Sequence, residues 1–277
     1  FPYPTLFRSR ESPALSTSYA PPRSVLLTGG TGFVGSYLAK ALLDRCGDLD
    51  VHVLLRAEGD AQRALVDVFE RKRLWTDRYA QRLHAIKGDL ATPELGLCPA
   101  DYDKLASRCD AILHCGALVN FVYDYRAHRA ANVLATQSLI RLSCAERVKP
   151  FFFISTLGAL EAQAQRHGAP LDEAFDVELA ARPKSGYSRS KWVAERMLLQ
   201  ARREGAPVTV FRLGEVMPAA DEGIPNARAL THFLLSAFAW LGARRATAIH
   251  SDWSPVDYVA QRIVSASPAI GLARSRF

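Results

Sequence analysis

The chain has 277 residues, 49% of them hydrophobic, and its 35 basic against 28 acidic side chains give a formal net charge of +7. That length suits one sizeable α/β domain with at most a small appendage. No apolar run approaches the roughly 20 residues needed to span a bilayer, the longest being Phe233 to Leu241. The basic balance fits an anionic ligand or an acidic partner protein. It carries no aromatic-interleaved basic patch of the kind that binds nucleic acid, and Arg71-Lys72-Arg73 reads as a solvated helix face. The five cysteines (Cys46, Cys98, Cys109, Cys115 and Cys144) are scattered and odd in number, without a Cys-x-x-Cys pair, so neither a disulfide framework nor a zinc site is expected. With no charged start leading into an apolar core, no secretory signal is visible, and a soluble, cytoplasmic protein with no metal is expected.

Residues 1–23 are rich in Pro, Ser and Arg without periodicity and read as a disordered leader or linker. The chain starts with Phe rather than Met; a piece of something longer, or a few non-native leading residues, is expected. Val25-Leu26-Leu27 then runs as a strand into Thr28-Gly29-Gly30-Thr31-Gly32-Phe33-Val34-Gly35, and Tyr37, Leu38, Ala41 and Leu42 recur at helical spacing. Strand, tight glycine turn and helix form the context of a dinucleotide-binding turn. Gly29 permits the turn, Gly32 lets backbone N–H groups approach a pyrophosphate, and Gly35 lets the helix pack close. The helix N-terminus then offers unpaired donors and a positive dipole end. A tight turn without a ligand is the bland alternative.

Val51 to Leu55 is a second strand, apolar enough to be buried on both faces. An NAD site usually carries Asp or Glu at its end; here stands Arg56, which can pair with a 2′-phosphate and favours NADPH, with Arg63 assisting. An ordinary surface arginine is the competing reading. Ala61 to Trp75 is an amphipathic helix, and Leu83 to Gly88 a third strand leading into Asp89-Leu90, where the carboxylate could meet the adenine amino group. After a short helix from Tyr102 to Arg108, Ala111 to His114 is a fourth strand that opens into Cys115-Gly116-Ala117. Those small residues would let a cofactor lie across the strand ends, and His114 reads as structural. One long helix is expected from Tyr125 to Val148, including Asn132, then a fifth strand, Phe151 to Ile154, ending in Ser155-Thr156. This alternation predicts a parallel, doubly wound sheet with ligands at the strand carboxyl ends.

Glu161 to Ser185 is irregular and reads as a long loop over the site. Tyr187-Ser188-Arg189-Ser190-Lys191 opens a helix to Arg203, Val208 to Arg212 is a sixth strand, Ala227 to Leu241 an apolar helix packing on the core as part of a substrate subdomain, and Pro255 to Ala260 starts a last helix. Tyr187 and Lys191, four apart, share one helix face. The ammonium there can stabilise a phenolate and pull the tyrosine down towards neutrality, making it an acid–base group for a carbonyl or alcohol oxygen. Thr156 can hydrogen-bond the same oxygen.

Taken together, Thr28 to Gly35, Thr156 and Tyr187-x-x-x-Lys191 resemble an extended short-chain dehydrogenase/reductase. Leu54-Leu55-Arg56-Ala57, Lys87-Gly88-Asp89-Leu90, His114 to Asn120, Phe153 to Thr156, Gly186 to Glu195 and Pro255 to Ala260 resemble the thioester reductase domains. Those domains terminate non-ribosomal peptide and polyketide assembly lines and occur in carboxylic acid reductases; fatty acyl-CoA reductases are close relatives. The resemblance covers roughly residues 24 to 265. It implies a Rossmann-type doubly wound sheet with a small C-terminal substrate subdomain around 213–250, and a monomer or one part of a larger multidomain chain. It also implies NADPH held by Thr28, Gly29, Thr31, Gly32, Phe33, Val34, Gly35, Arg56, Arg63, Asp89, Leu90, Gly116, Ala117 and Lys191. The reaction implied is reduction of an acyl thioester, on a carrier-protein phosphopantetheine or on CoA, to an aldehyde or on to an alcohol. Tyr187 and Thr156 would stabilise the oxyanion, and Lys191 would hold the nicotinamide ribose.

Two departures stand out. Leu213 replaces a proline common in the relatives, which also continue well past the Pro-Val-Asp-Tyr motif, so part of the substrate subdomain is expected to be missing. The rival enzyme classes are a sugar-nucleotide epimerase or dehydratase and a ketone reductase of the same superfamily; Arg56 and Leu157-Gly158-Ala159-Leu160 point away from the first. A dinucleotide-binding sensor or scaffold typically loses the tyrosine or lysine, and this chain keeps both.

Overall fold

Short apolar stretches bounded by Gly, Pro or Asp become strands here, and the longer amphipathic ones between them become helices. The computed structural model describes residues 22–167, 175, 177–221, 223–224, 226, 229–242 and 253–267. Six strands, β1 (Ser24–Thr28), β2 (Asp50–Leu55), β3 (Leu83–Lys87), β4 (Ala111–His114), β5 (Phe151–Thr156) and β6 (Val208–Leu213), form one parallel sheet in the order β3-β2-β1-β4-β5-β6. This is the strand order of a Rossmann-type doubly wound fold. Period-2 alternation splits each strand between two cores. Val25, Leu27, Val51, Val53, Phe152 and Ile154 face α1 (Phe33–Arg45) on one side. Leu26, Ile112, Phe151 and Phe153 face the helices of the other. Burial on both faces is why these strands read as continuous apolar runs.

The helices follow with local reasons for their starts. Asp60 caps α2 (Ala61–Arg71) by accepting the Gln62 and Arg63 N–H groups at 2.8 and 3.1 Å. Proline occupies the first turn of α3 (Pro99–Arg108), where its missing N–H costs nothing. The single helix expected from Tyr125 to Val148 is three pieces: α4 (Tyr125–His128), a π-helical turn (Arg129–Leu134) and α5 (Ala135–Cys144). The widened turn buries Asn132, whose side chain bonds the backbone of Leu118. Such π turns recur at functional sites.

After β5 the expected loop opens as a 3-10 turn (Leu157–Leu160) and α6 (Glu161–His167). Beyond it Val177 and Ala180 are buried with Leu160, against Trp192 and Leu199 of α7 (Gly186–Arg203), so this segment packs on the body. Residues 168–174, the middle of the expected loop, lie outside the described residues, as do 1–21 of the expected leader. β7 (Glu215–Met217) and β8 (Trp253–Pro255), not foreseen from the sequence, make a second, two-stranded parallel sheet. α8 (Leu230–Leu241) has no buried residue, with Phe233, Leu234 and Trp240 exposed; the expectation that it packs on the core is not met among the described residues. α9 (Val256–Ser265) buries Val256, Val259, Ile263 and Val264 in the α1 core. No described helix is long and apolar enough to cross a membrane.

Candidate active site

The carboxyl ends of β1, β4 and β5 lie side by side, α7 packs on β5 and β6, and most of the residues singled out in the sequence stand at these strand ends or on that helix. At the end of β1, Gly29 has φ +74°, and a Cβ on it would lie 2.6 Å from the Gly116 backbone. A Cβ on Gly35 would lie 2.0 Å from the Gly29 carbonyl oxygen; only glycine lets the turn and the first turn of α1 touch in this way. The Gly32 N–H closes the turn on Gly29 O at 2.9 Å. α1 has neither a side-chain cap nor an acidic residue in its first turn, which leaves its N-terminal donors and dipole for an anionic group. The turn, built around bare backbone, fits a dinucleotide pyrophosphate.

Lys72, read as solvated, instead folds back from the end of α2. Its Nζ donates to Thr31 O (3.1 Å), Gly32 O (2.5 Å) and Ser36 Oγ (2.9 Å), and burial, with the Arg71 charge, brings the ammonium down to about 8. Nothing local marked it: α2 stops at Arg71, and the left-handed Arg73 (φ 55°) turns the chain back.

Thr28 and Gly116 are joined directly: the Gly116 N–H donates to Thr28 Oγ1 (3.0 Å), and the Thr28 hydroxyl donates to His114 Nδ1 (2.6 Å). Thr136 gives its own proton to Asn132 O (2.7 Å), so His114 Nε2 carries the hydrogen it donates to Thr136 Oγ1 (3.1 Å). Burial and the Lys191 charge hold His114 well below its ordinary value, which keeps this ring neutral. From Asn132, Nδ2 donates to Ser190 Oγ (2.9 Å), and Ser190 donates to Tyr187 O (2.7 Å). A buried hydrogen-bond chain thus runs from the glycine turn to the helix that carries Tyr187. Leu90 closes over Gly116, where an added Cβ would meet Leu90 Cδ1 at 2.4 Å, and Ala117 follows half-buried.

Tyr187 and Lys191 lie in the first turns of α7, whose N-cap Ser185 accepts the Ser188 N–H at 3.0 Å. The Tyr187 ring meets Phe121 edge-on at 5.8 Å and His128 at 6.1 Å. Thr156 Oγ1 accepts the Gly158 N–H (3.2 Å), leaving its hydroxyl proton to donate elsewhere, and Gly158 sits against Ser188, the neighbour of Tyr187. Lys191 Nζ donates to Ile154 O (2.8 Å) and stands 4.4 Å over the Phe153 ring; burial brings it to about 8. The expected lowering of the Tyr187 phenol is not found. Burial, aided by Cys115, holds it above its ordinary value, and the Lys191 ammonium is turned onto the Ile154 carbonyl.

Arg56 is exposed at the end of β2, free of the core. Arg63 is turned along its own helix, 2.8 Å from Asp67 and 3.3 Å from Glu70, not towards the turn. Asp89 Oδ1 accepts the Ala91 N–H at 2.9 Å, which shapes the bend after β3. Thr31, Phe33 and Val34 belong to the glycine turn and its helix. Among the described residues no group of three or more His, Cys, Asp or Glu could hold a metal ion.

Residues 27–263 match the family described as Male sterility protein, an NAD-binding domain. The chain belongs to this family and, with it, to the reductase domains of the extended short-chain dehydrogenase/reductase type. Its sequence is 35% identical over 260 residues to a component of the linear gramicidin synthase of Brevibacillus parabrevis, covering 92% of this chain and 5% of that protein. The fold is similar to the terminal R domain from the myxalamid PKS-NRPS biosynthetic pathway, with TM-score 0.85, 35% identity, and 90% of this chain and 63% of that one covered. It is also similar to the reductase (R) domain of a nonribosomal peptide synthetase from Mycobacterium tuberculosis, with TM-score 0.74, 31% identity, and 91% and 65% covered. The chain therefore spans under two thirds of these R-domain structures and a small part of the curated relative.

Proposed function

We propose that this chain is the cofactor-binding and catalytic part of a thioester reductase domain, which uses NADPH to release a carrier-bound or CoA-bound acyl group as an aldehyde, with the alcohol as the product of a second round. The observation that carries the reading is the convergence of an uncapped glycine turn at the end of β1 with Thr156 and the Tyr187–Lys191 pair at the end of β5. A bound nicotinamide would supply the hydride that adds to the thioester carbonyl carbon. The turn from Thr28 to Gly35 would hold the pyrophosphate, Lys72 would stiffen that turn from its carbonyl side, and Arg56 would face the 2′-phosphate. Arg63 is assigned a supporting part only if it leaves Asp67 and Glu70. Asp89 and Leu90 would border the adenine, and Gly116 and Ala117 the nicotinamide.

At the reacting carbonyl, the Thr156 hydroxyl and the Tyr187 phenol would donate to the oxygen as negative charge develops on it. A phenol held high by burial is a proton donor at neutral pH, which suits the reductive direction. The Lys191 charge beside it favours the oxyanion. The thiol leaves as the tetrahedral adduct collapses. The basic balance of the chain fits an acidic carrier protein.

The test is oxidation of NADPH by the purified chain in the presence of acyl-CoA or acyl-phosphopantetheine, followed at the reduced nicotinamide absorbance. Thioester-dependent oxidation that falls about a hundredfold or more in Tyr187→Phe supports the reading. NADPH binding with no oxidation of any thioester tried would count against the substrate class and leave the nucleotide site standing.

A further inference from the structure

One buried charged cluster takes no direct part in that chemistry. Tyr187, Lys191 and Glu195 are spaced by four on α7 and occupy successive turns of one face. The alternation that turns Phe151 and Phe153 of β5 towards α7 turns Ser155 the same way. There the Ser155 hydroxyl donates to Glu195 Oε1. Glu195 Oε2 takes two bonds from Arg212, from Nε at 2.9 Å and from Nη2 at 2.8 Å. Ser155 and Arg212 are register partners on β5 and β6, so one carboxylate bridges adjacent strands. Its side chain is 1% exposed and that of Arg212 19%. Immediately beside it Lys191 bonds the Ile154 carbonyl. Two consecutive residues of β5 are thus tied to the helix, Ile154 accepting from Lys191 and Ser155 donating to Glu195, and the next residue is Thr156.

We propose that Glu195, gripped by Ser155 and Arg212, is a positioning residue: it fixes the register of α7 on the ends of β5 and β6, and with it Tyr187 against Thr156, and it supplies the negative charge that faces Lys191. The proposal rests on the catalytic reading of Tyr187, Lys191 and Thr156. A buried ion pair is rarely the most stable filling for such a space, since apolar residues of the same volume often do as well; its use here is geometric and electrostatic. The groups facing Lys191 are Glu195 on its own helix, His114 at the end of β4 and Cys115 just after it, with Tyr187 one turn away. Burial lowers the ammonium, and Cys115 and Glu195 oppose that. Glu195 is the carboxylate among these groups.

The experiment compares Glu195→Gln and Ser155→Ala in the whole chain. Lysines carrying 13C at Cε are titrated by NMR, and the Lys191 signal is identified by its loss in Lys191→Arg. Thioester-dependent kcat, KM and NADPH affinity are measured alongside. In Glu195→Gln the Lys191 midpoint is expected to fall by about half a pH unit or more, and kcat about tenfold or more through misplacement of Tyr187. NADPH affinity should stay within about twofold. Ser155→Ala keeps the charge and should leave the midpoint in place. An unmoved Lys191 midpoint together with an unchanged kcat in Glu195→Gln overturns the proposal and makes the cluster a strand clasp. Should that variant fail to fold, Glu195→Asp carries the test. It keeps the charge but cannot reach Ser155 and Arg212 together, so kcat should fall with the midpoint unmoved; an unchanged kcat overturns the positioning role. If the parent chain reduces no thioester, the functional reading fails by itself, and the midpoint shift still decides whether Glu195 faces Lys191 as proposed.

Discussion

At the scale of single residues, the link between the glycine turn and α7 depends on buried polar groups that bond one another. Thr28 is 0% exposed and serves the Gly116 N–H and His114 Nδ1 at once. Thr28→Val keeps the shape and strands both partners, so unfolding free energy should fall by about 2 kcal/mol, while Thr28→Ser restores most of it; denaturant melts of the two variants decide. Arg56 is a different case, exposed and unneeded by the fold. If Arg56 pairs with a 2′-phosphate as proposed, Arg56→Ala should leave the melting temperature unchanged and weaken NADPH binding about tenfold relative to NADH, read from the two dissociation constants. The position of Arg56 was legible in the sequence because it follows from the end of a strand. That of Lys72 was not, since its contact with the turn depends on where α2 stops and how Arg73 bends the chain.

Elements show where local patterns suffice. The six strands of the large sheet lie where apolar runs were read, within a residue or two at their ends. The helix from Tyr125 did not run on as expected, because periodicity registers apolar spacing and not the widened turn that takes Asn132 inside. β2 and β3 carry a pH liability of their own. His52 and His84 stack at 4.9 Å, and burial, then His84, lowers His52 below its ordinary value. His114 is lowered more strongly. Both are depressed in the fold, so as pH falls the unfolded chain takes up protons first. Their contribution is complete above about 6.5 and is lost progressively below it, by up to about 1.4 kcal/mol per unit for the buried His114 and by less for the partly exposed His52, where solvent screens the effect. Thermal melts should therefore drop between pH 7 and 5, and His52→Asn should drop less. An equal drop in that variant would place the acid sensitivity elsewhere.

For the molecule as a whole, the uneven feature is α8. Twelve residues from Leu230 to Leu241 bear no charge and bury nothing, and Trp240 is 86% exposed. An apolar surface of this kind ordinarily marks an interaction site or an aggregation hazard. Replacing Phe233 and Trp240 with Ser should cut the binding of an apolar fluorescent dye and leave the melting temperature within about 2 °C, as for surface positions. A larger loss would mean that α8 is packed in solution.

The sequence by itself determined the parallel doubly wound sheet, the glycine turn and the Tyr187–Lys191 pair, because each is set by spacing within one short stretch: period two for strands, four residues for a helix turn, a glycine wherever backbone touches backbone. Only the tertiary structure decided what crosses between stretches. It set Lys72 on the turn, threaded the chain from Thr28 through His114 and Asn132 to Tyr187, drew Lys191 onto Ile154, and seated Glu195 between Ser155 and Arg212. These contacts join residues tens of positions apart. Which polar side chains meet there depends on strand order and register, neither of which leaves a periodic trace in the chain.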